Sequence, residues 1–186
     1  RLKMAVSMLG DAPAAQRENL QREIHANIGE LDALVEEVLL ASRLDAGAAL
    51  QHPAPVELLA LAAEEAARFQ ASVEGQTVSV AGDERLLRRA LRNLLENAHR
   101  YGGDSVSVDV QRSAAGQAEV LVSDRGPGVP EAYRERIFEA FFRLPGHAER
   151  SGGVGLGLAL VRQIATAHGG SVGCEPREGG GSCFRL

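Results

Sequence analysis

Asp83-Glu84-Arg85-Leu86-Leu87-Arg88-Arg89-Ala90-Leu91-Arg92-Asn93-Leu94-Leu95-Glu96-Asn97-Ala98-His99-Arg100-Tyr101 carries two patterns on one stretch of chain. Leu87, Leu91, Leu94, Leu95 and Ala98 recur at helical spacing and mark a buried side. Asp83 stands where a helix N-cap belongs. The pattern predicts a helix from Asp83 to Tyr101. Asn93, Asn97 and Arg100 follow at i, i+4 and i+7 and form a second stripe on a different face. Asn inside a helix costs about half a kcal/mol relative to Ala, so two on one stripe ask for a use. Neutral amide oxygens are hard ligands that suit Mg²⁺, an ion that takes oxygen donors and keeps waters and substrate phosphates. Arg100 beside such an ion would balance phosphate charge. The plainer alternative is a polar stripe facing solvent.

Two further blocks follow downstream. Asp124-Arg125-Gly126-Pro127-Gly128 closes an apolar run. A carboxylate only accepts hydrogen bonds, so at a strand end inside a pocket it suits an exocyclic amino group such as that of adenine. Glycines beside it let the backbone approach a flat ring with no Cβ in the way. Alone, the block also fits a plain turn. Gly152-Gly153-Val154-Gly155-Leu156-Gly157 immediately precedes an apolar helical pattern. Glycine N–H groups at a helix N-terminus form an anion site. No Lys-Ser/Thr pair follows, and no strand leads in, so this is neither a Walker phosphate loop nor a dinucleotide fingerprint. Alone, it also fits a glycine-rich linker. Residues 144–151 are loose and polar, as a lid would be. Together the three blocks point to a nucleoside triphosphate site.

The flanks supply a scaffold. Residues 56–69 read as a helix and 77–80 as a strand. Val106, Val108 and Val110 alternate with polar residues, and Val120 and Val122 mark a neighbouring strand that ends at Asp124. A helix is expected to start near Pro130 and another to span 156–167. Residues 171–175 and 182–186 read as a closing hairpin. The mixture predicts an α+β fold with helices on one face of a mixed sheet. Cys174 and Cys183 flank the turn of that hairpin and are expected as reduced thiols, with a pairing across the hairpin as the alternative.

The first third is helical. Leu2, Val6 and Leu9 form a short arm, and Gly10-Asp11-Ala12-Pro13 interrupts it. A long helix over 14–45 follows. Ile24, Ile28, Leu31, Val35, Val38 and Ser42 are spaced 4, 3, 4, 3, 4, a heptad seam. Such a helix outreaches the short arm, so the seam is expected to meet a second copy of the chain, with the arm cut short at its start. Gln51-His52-Pro53-Ala54-Pro55 reads as a linker. The net charge of −5 argues against a nucleic-acid footprint. No apolar run approaches the roughly 20 residues that span a bilayer.

At this point the residues resemble a known family. Residues 55–186 resemble the catalytic ATP-binding domain of the sensor histidine kinases of two-component systems, in the superfamily shared with gyrase B, Hsp90 and MutL. Residues 93–101 resemble the N box, 124–128 the G1 box, Ile137-Phe138-Glu139-Ala140-Phe141-Phe142-Arg143 the F box, and 153–157 the G2 box. Residues 1–44 resemble the family's dimerisation helices, which run into Ser42-Arg43-Leu44-Asp45. The resemblance implies a two-layer α/β sandwich ATP-binding domain over 56–186, a linker over 51–55, and an antiparallel helical hairpin over 1–50, its first helix truncated, that dimerises into a four-helix bundle.

It also implies roles. Asn97 would ligate Mg²⁺, with Asn93 supporting it or the phosphates. Arg100 would contact phosphate, and Tyr101 would pack beside the adenine. Asp124 would read the adenine amino group. Gly126, Gly128, Gly153, Gly155, Leu156 and Gly157 would shape the pocket and its lid. Arg143 would reach the γ-phosphate, and Glu96 sits where some kinases carry a catalytic acid. The implied cofactors are ATP and Mg²⁺. The implied partners are a second copy of the chain and a response regulator receiver domain. The implied location is the cytoplasmic part of a bacterial inner-membrane protein, held to the membrane only by segments upstream of Arg1. One departure limits the match. The family's acceptor lies in a block like His-Glu-Leu-Arg-x-Pro, and His25, His52, His99, His147 and His168 have other neighbours. The acceptor is expected upstream of Arg1 or is absent. A non-catalytic nucleotide-binding and dimerisation module and an ATPase of the same superfamily are the alternatives.

Overall fold

The computed structural model describes residues 14–45, 53–103, 105–145 and 154–186. The chain divides into two compact units, 1–40 and 41–186. Helix α1 (Ala14–Asp45) runs for 32 residues, as its heptad pattern predicts. In the single chain its seam is open: Ile28, Leu31, Val35, Val38 and Leu39 stand 44–57% exposed. The short arm expected over 2–9 lies outside the described residues.

The second unit is built on a five-stranded sheet. The strands are β2 (Ser72–Gly75), β4 (Ser107–Arg112), β5 (Ala118–Ser123), β6 (Gly173–Pro176) and β7 (Ser182–Arg185), in spatial order β2-β4-β5-β7-β6. β2 pairs with β4 in parallel. The other neighbours are antiparallel, so the sheet is mixed. Alternation puts one residue in two on the inner face. The register aligns Val108 with Val122, Val122 with Phe184, and Phe184 with Cys174. These four form a buried row across the sheet. Helices α2 (Leu58–Ala67), α3 (Glu84–Gly102) and α4 (Gly157–Ala167) supply the second layer. α2 packs on β2 and β4, α3 on β5, and α3 and α4 pack on each other. Leu94, Leu95, Leu160, Val161 and Ile164 are fully enclosed between the layers. Each such side chain contributes about 1.5–3 kcal/mol by leaving water.

Several expectations needed correction. The helix expected over 56–69 starts only at Leu58, because Ala54–Glu57 forms strand β1. β1 lies antiparallel to β3 (Ser79–Gly82), with Val56 opposite Val80. The linker assigned to 51–55 therefore overlaps a strand at Ala54 and Pro55. Pro55 is tolerated there because, among the described residues, β1 pairs on one side only, and a missing N–H on its open side breaks no ladder bond. The strand expected over 77–80 is shifted to Ser79–Gly82. Strand β2 was not foreseen.

The α-helix expected to start near Pro130 does not form. Two single 3₁₀ turns, Glu131–Tyr133 and Arg136–Phe138, take its place. Phe138 N–H donates to Glu135 O at 3.4 Å, and Glu139 N–H to Arg136 O at 2.9 Å. The Arg162 guanidinium donates to the Glu135 carbonyl at 3.1 Å, taking an acceptor that a longer helix would use. Phe138 meets Phe184 edge-on at 6.4 Å, which pins the segment to the sheet. Strands β6 and β7 form the expected hairpin, and both cysteines are free. Cys174 lies opposite Phe184 and Cys183 opposite Glu175, so the two thiols point to opposite faces and do not pair.

Candidate nucleotide site

The site grows from α3. Asp83 caps it as the sequence predicts, accepting from the Arg85 and Leu86 N–H groups at 2.9 and 3.3 Å. The apolar stripe is buried against α2, α4 and the sheet, which turns the Asn stripe toward α4 and the loops. Asn93 is buried, and its Nδ2 donates to the Gly157 carbonyl at 3.1 Å. That bond uses the amide nitrogen and leaves the Asn93 oxygen as an acceptor. Asn97, one turn further, is half-buried. Glu96 and Arg100 are exposed and Tyr101 is half-buried. Glu96 acts electrostatically on Arg92.

The end of α3 meets the end of β5. A Cβ at Gly102 would lie 2.3 Å from Asp124 Cβ, so only glycine fits there. A Cβ at Gly126 would lie 2.4 Å from the Tyr101 carbonyl oxygen, so the loop after Asp124 lies directly against the helix terminus. Asp124 itself is 3% exposed. Its Oδ1 accepts from Gly126 N–H at 2.8 Å and from Ser182 N–H at 3.3 Å. Its backbone N–H donates to Ser182 O at 2.9 Å, and Arg177 donates to its carbonyl at 3.2 Å. One carboxylate oxygen is thus committed to holding the loop, which fixes where the other points.

The F-box segment meets the third glycine block. Phe141 N–H donates to Gly155 O at 2.9 Å. Gly155 has φ +82°, and a Cβ there would lie 2.9 Å from Phe142 O. Phe141 itself has φ +65° and is 64% exposed, an uncommon backbone conformation for a bulky residue. Phe142 is held from the other side: the Arg136 guanidinium lies 4.6 Å from its ring centroid. Arg143 follows, half-buried. Leu156 is buried at the N-cap of α4. Gly128 has φ +76° and faces Gly181, whose oxygen would lie 3.1 Å from a Cβ. Gly153 and residues 146–151 of the lid expected over 144–151 lie outside the described residues.

The family comparison decides what this arrangement is. The model for the histidine kinase-, DNA gyrase B- and HSP90-like ATPases matches residues 82–186. The chain belongs to this ATPase family. The sensor protein RstB of Escherichia coli (strain K12) is 38% identical over 194 residues, covering 99% of this chain and 44% of RstB. The chain therefore spans less than half the length of that relative. The solved mycobacterial sensor histidine kinase MprB matches 72% of this chain and 94% of its own at 28% identity, with TM-score 0.61. Full-length ShkA, solved in complex with AMPPNP, matches 99% of this chain and 41% of its own at 31% identity, with TM-score 0.69. Residues 82–186 are thus a histidine-kinase-type ATP-binding domain.

In this ATPase domain the structure adds residues that the sequence analysis did not single out. The turn at Gly179-Gly180-Gly181 closes over Asp124: a Cβ at Gly181 would lie 2.1 Å from Asp124 O. Three adjacent glycines were the available signal, and they had been assigned to an ordinary hairpin turn. Ser182 is buried; its N–H donates to the Asp124 carboxylate and its carbonyl accepts from the Asp124 N–H. The second addition is a charged cluster under α3. Glu65, 2% exposed on α2, accepts from Arg92 Nε at 2.8 Å and from Arg88 at 3.1 Å. The Arg92 hydrogen bond holds its carboxyl below the usual carboxylate range despite burial. Glu65 follows Leu58, Leu61 and Ala62 at helical spacing and so falls on the buried stripe of α2, while Glu64 falls off it; that spacing was the available signal.

Proposed function

We propose that this chain is the catalytic core of a sensor histidine kinase, which binds Mg-ATP and transfers the γ-phosphoryl group to a His side chain. From there the group passes to an Asp of a response regulator receiver domain. The observation that carries the reading is Asp124. It is buried at a strand end, it has one oxygen tied down by two backbone N–H groups, and glycines at 102, 126 and 181 let the surrounding backbone pack directly against it and against the end of α3. A carboxylate so held suits the adenine amino group through its second oxygen. The Tyr101 backbone lies against Gly126, and its side chain is assigned to flank the ring.

The donor set also fits Mg²⁺. Asn97 offers a half-buried amide oxygen and Asn93 a second oxygen one turn away. An ion that takes most of its ligands from water and phosphate needs few from protein. Mg²⁺ would neutralise charge developing on the transferred phosphoryl group. The chain's own part is to bind and orient: Asn97 holds the ion, Arg100 and Arg143 contact phosphate, and the Gly155-to-Gly157 backbone offers N–H groups at the start of α4. Glu96, exposed and beside Arg92, is assigned a supporting electrostatic role. The open heptad seam of α1 supports a homodimer, because five exposed apolar residues in one stripe need a cover. Among the described residues no helix is long and apolar enough to cross a membrane. The proposed place of action is the cytoplasm.

Calorimetric titration with Mg-AMPPNP tests the site. Asn97→Ala is expected to abolish measurable binding, and unchanged affinity would refute the assignment.

A further inference from the structure

The structure assigns to His168 the role of a positioning residue that locks the axial register of α4 against α3, and so places the nucleotide-facing end of α4. This inference rests on the ATP-site reading above. His168 is half-buried at the C-cap of α4. Asp83 N–H donates to His168 Nε2 at 3.0 Å. A backbone N–H can only donate, so Nε2 carries the lone pair. Nδ1 lies 2.8 Å from the Ile164 carbonyl, which can only accept, so Nδ1 carries the proton. Only the neutral Nδ1–H tautomer satisfies both contacts.

The contact closes a gap in the helix start. In a capping box the N-cap N–H is taken by Glu or Gln at the third helical position. Here that position is Leu86, which has no acceptor. His168 supplies the missing acceptor from the far end of another helix. The backbone makes room for the ring: a Cβ at Gly82 would lie 2.8 Å from His168 Cδ2 and 2.9 Å from Leu87 Cδ1.

A second tie sits at the other end. Asn93 Nδ2 holds the Gly157 carbonyl in the first turn of α4. From Asp83 to Asn93 is about 15 Å along α3, and from Gly157 to His168 about 16.5 Å along α4, at about 1.5 Å per residue. The two spans match, so an antiparallel pair tied at both ends has one register. A slip of one turn, about 5.4 Å, would break both ties. Gly155 and Gly157 ride on that register, so the N–H groups at the start of α4 keep a fixed place relative to Asn97. His168 touches no nucleotide in this account and acts through α4.

The test uses the 186-residue chain, with His168→Ala, His168→Gln and Asn97→Ala, titrated with Mg-AMPPNP well below each variant's unfolding midpoint. His168→Ala is expected to weaken binding on the order of fivefold, the scale of one unmet polar group. His168→Gln keeps an acceptor for the Asp83 N–H and is expected to restore affinity to within about twofold of the original chain on the same scale. Full affinity in folded His168→Ala, or no rescue by Gln, would overturn the proposal. Long-range ¹H–¹⁵N correlation on the unaltered chain gives a readout independent of the variants' folding. A protonated Nδ1 with a bare Nε2 supports the role, and the Nε2–H tautomer overturns it. If the unaltered chain binds no AMPPNP, the ATP-site reading fails as well; if it binds and His168→Ala binds equally, only this inference fails.

Discussion

Replacing Asp124 with Asn separates the two jobs of that carboxylate. Oδ1 accepts from Gly126 and Ser182, and an Asn oxygen can take both bonds. The fold around the turn is therefore expected to survive with a stability change below about 1 kcal/mol, since no acceptor is lost at Oδ1. The second oxygen becomes an NH₂ group. In the proposed site it would face the amino group of adenine and replace an acceptor with a donor. A hydrogen bond to a charged acceptor contributes about 1.5–3 kcal/mol, and here its loss leaves two donors opposed. At about 1.4 kcal/mol per decade, Asp124→Asn should weaken Mg-AMPPNP binding by about 10- to 100-fold. A purine with a 6-oxo group should lose less or gain, because its oxygen can accept from the new NH₂. Isothermal titration measures the affinities and thermal melting measures the fold. A variant that melts like the original chain and binds AMPPNP within twofold of it would refute the assignment of Asp124 to the base.

Further outcomes follow from three other residues. Glu65→Ala leaves Arg88 and Arg92 without their buried partner and should cost about 2–3 kcal/mol in denaturant unfolding, below the roughly 3–5 kcal/mol of a fully buried pair because both arginines are partly exposed. Glu65's folded pKa is depressed, so this stabilisation is complete above the ordinary carboxylate pKa of about 4.3 and fades as pH falls through the lower folded value; stability of the unaltered chain should drop toward that of Glu65→Ala in acid. Burial pushes the Cys174 thiol up to about 12, so it should stay unlabelled by iodoacetamide at neutral pH in the folded chain and react on unfolding, as mass spectrometry would show. Val35→Asp places a charge in the α1 seam and should shift the chain from dimer to monomer in multi-angle light scattering, with the melting of the ATPase domain unchanged.

Much of this site was legible because its elements announce themselves locally. The apolar stripe of α3, its Asp83 cap, the alternating valines of β4 and β5, and the position of Asp124 at a strand end all follow from spacing. So does α4, with its buried Leu160, Val161 and Ile164. β2 was hidden because Ser72-Val73-Glu74-Gly75 contains one apolar residue, and its parallel partner β4 lies far along the chain. β1 was hidden because prolines at 53 and 55 read as a break, whereas Pro53 lies before the strand and an edge strand tolerates Pro55. The turns after Pro130 were misread as a helix because Arg162 and Phe184, both remote in sequence, decide that segment. Glu65 and His168 escaped for the same reason. Their partners, Arg88 and Arg92 for Glu65 and Asp83 for His168, meet them only in the tertiary fold.

The central claim is that this chain holds Mg-ATP in a pocket formed by Asn97, Asp124 and the start of α4. Titrating the purified chain with AMPPNP, with and without Mg²⁺, tests it most directly. The account predicts one saturable site per chain whose affinity falls when Mg²⁺ is removed and vanishes in Asn97→Ala. Absence of binding in the unaltered chain, or binding indifferent to both Mg²⁺ and Asn97, would contradict it.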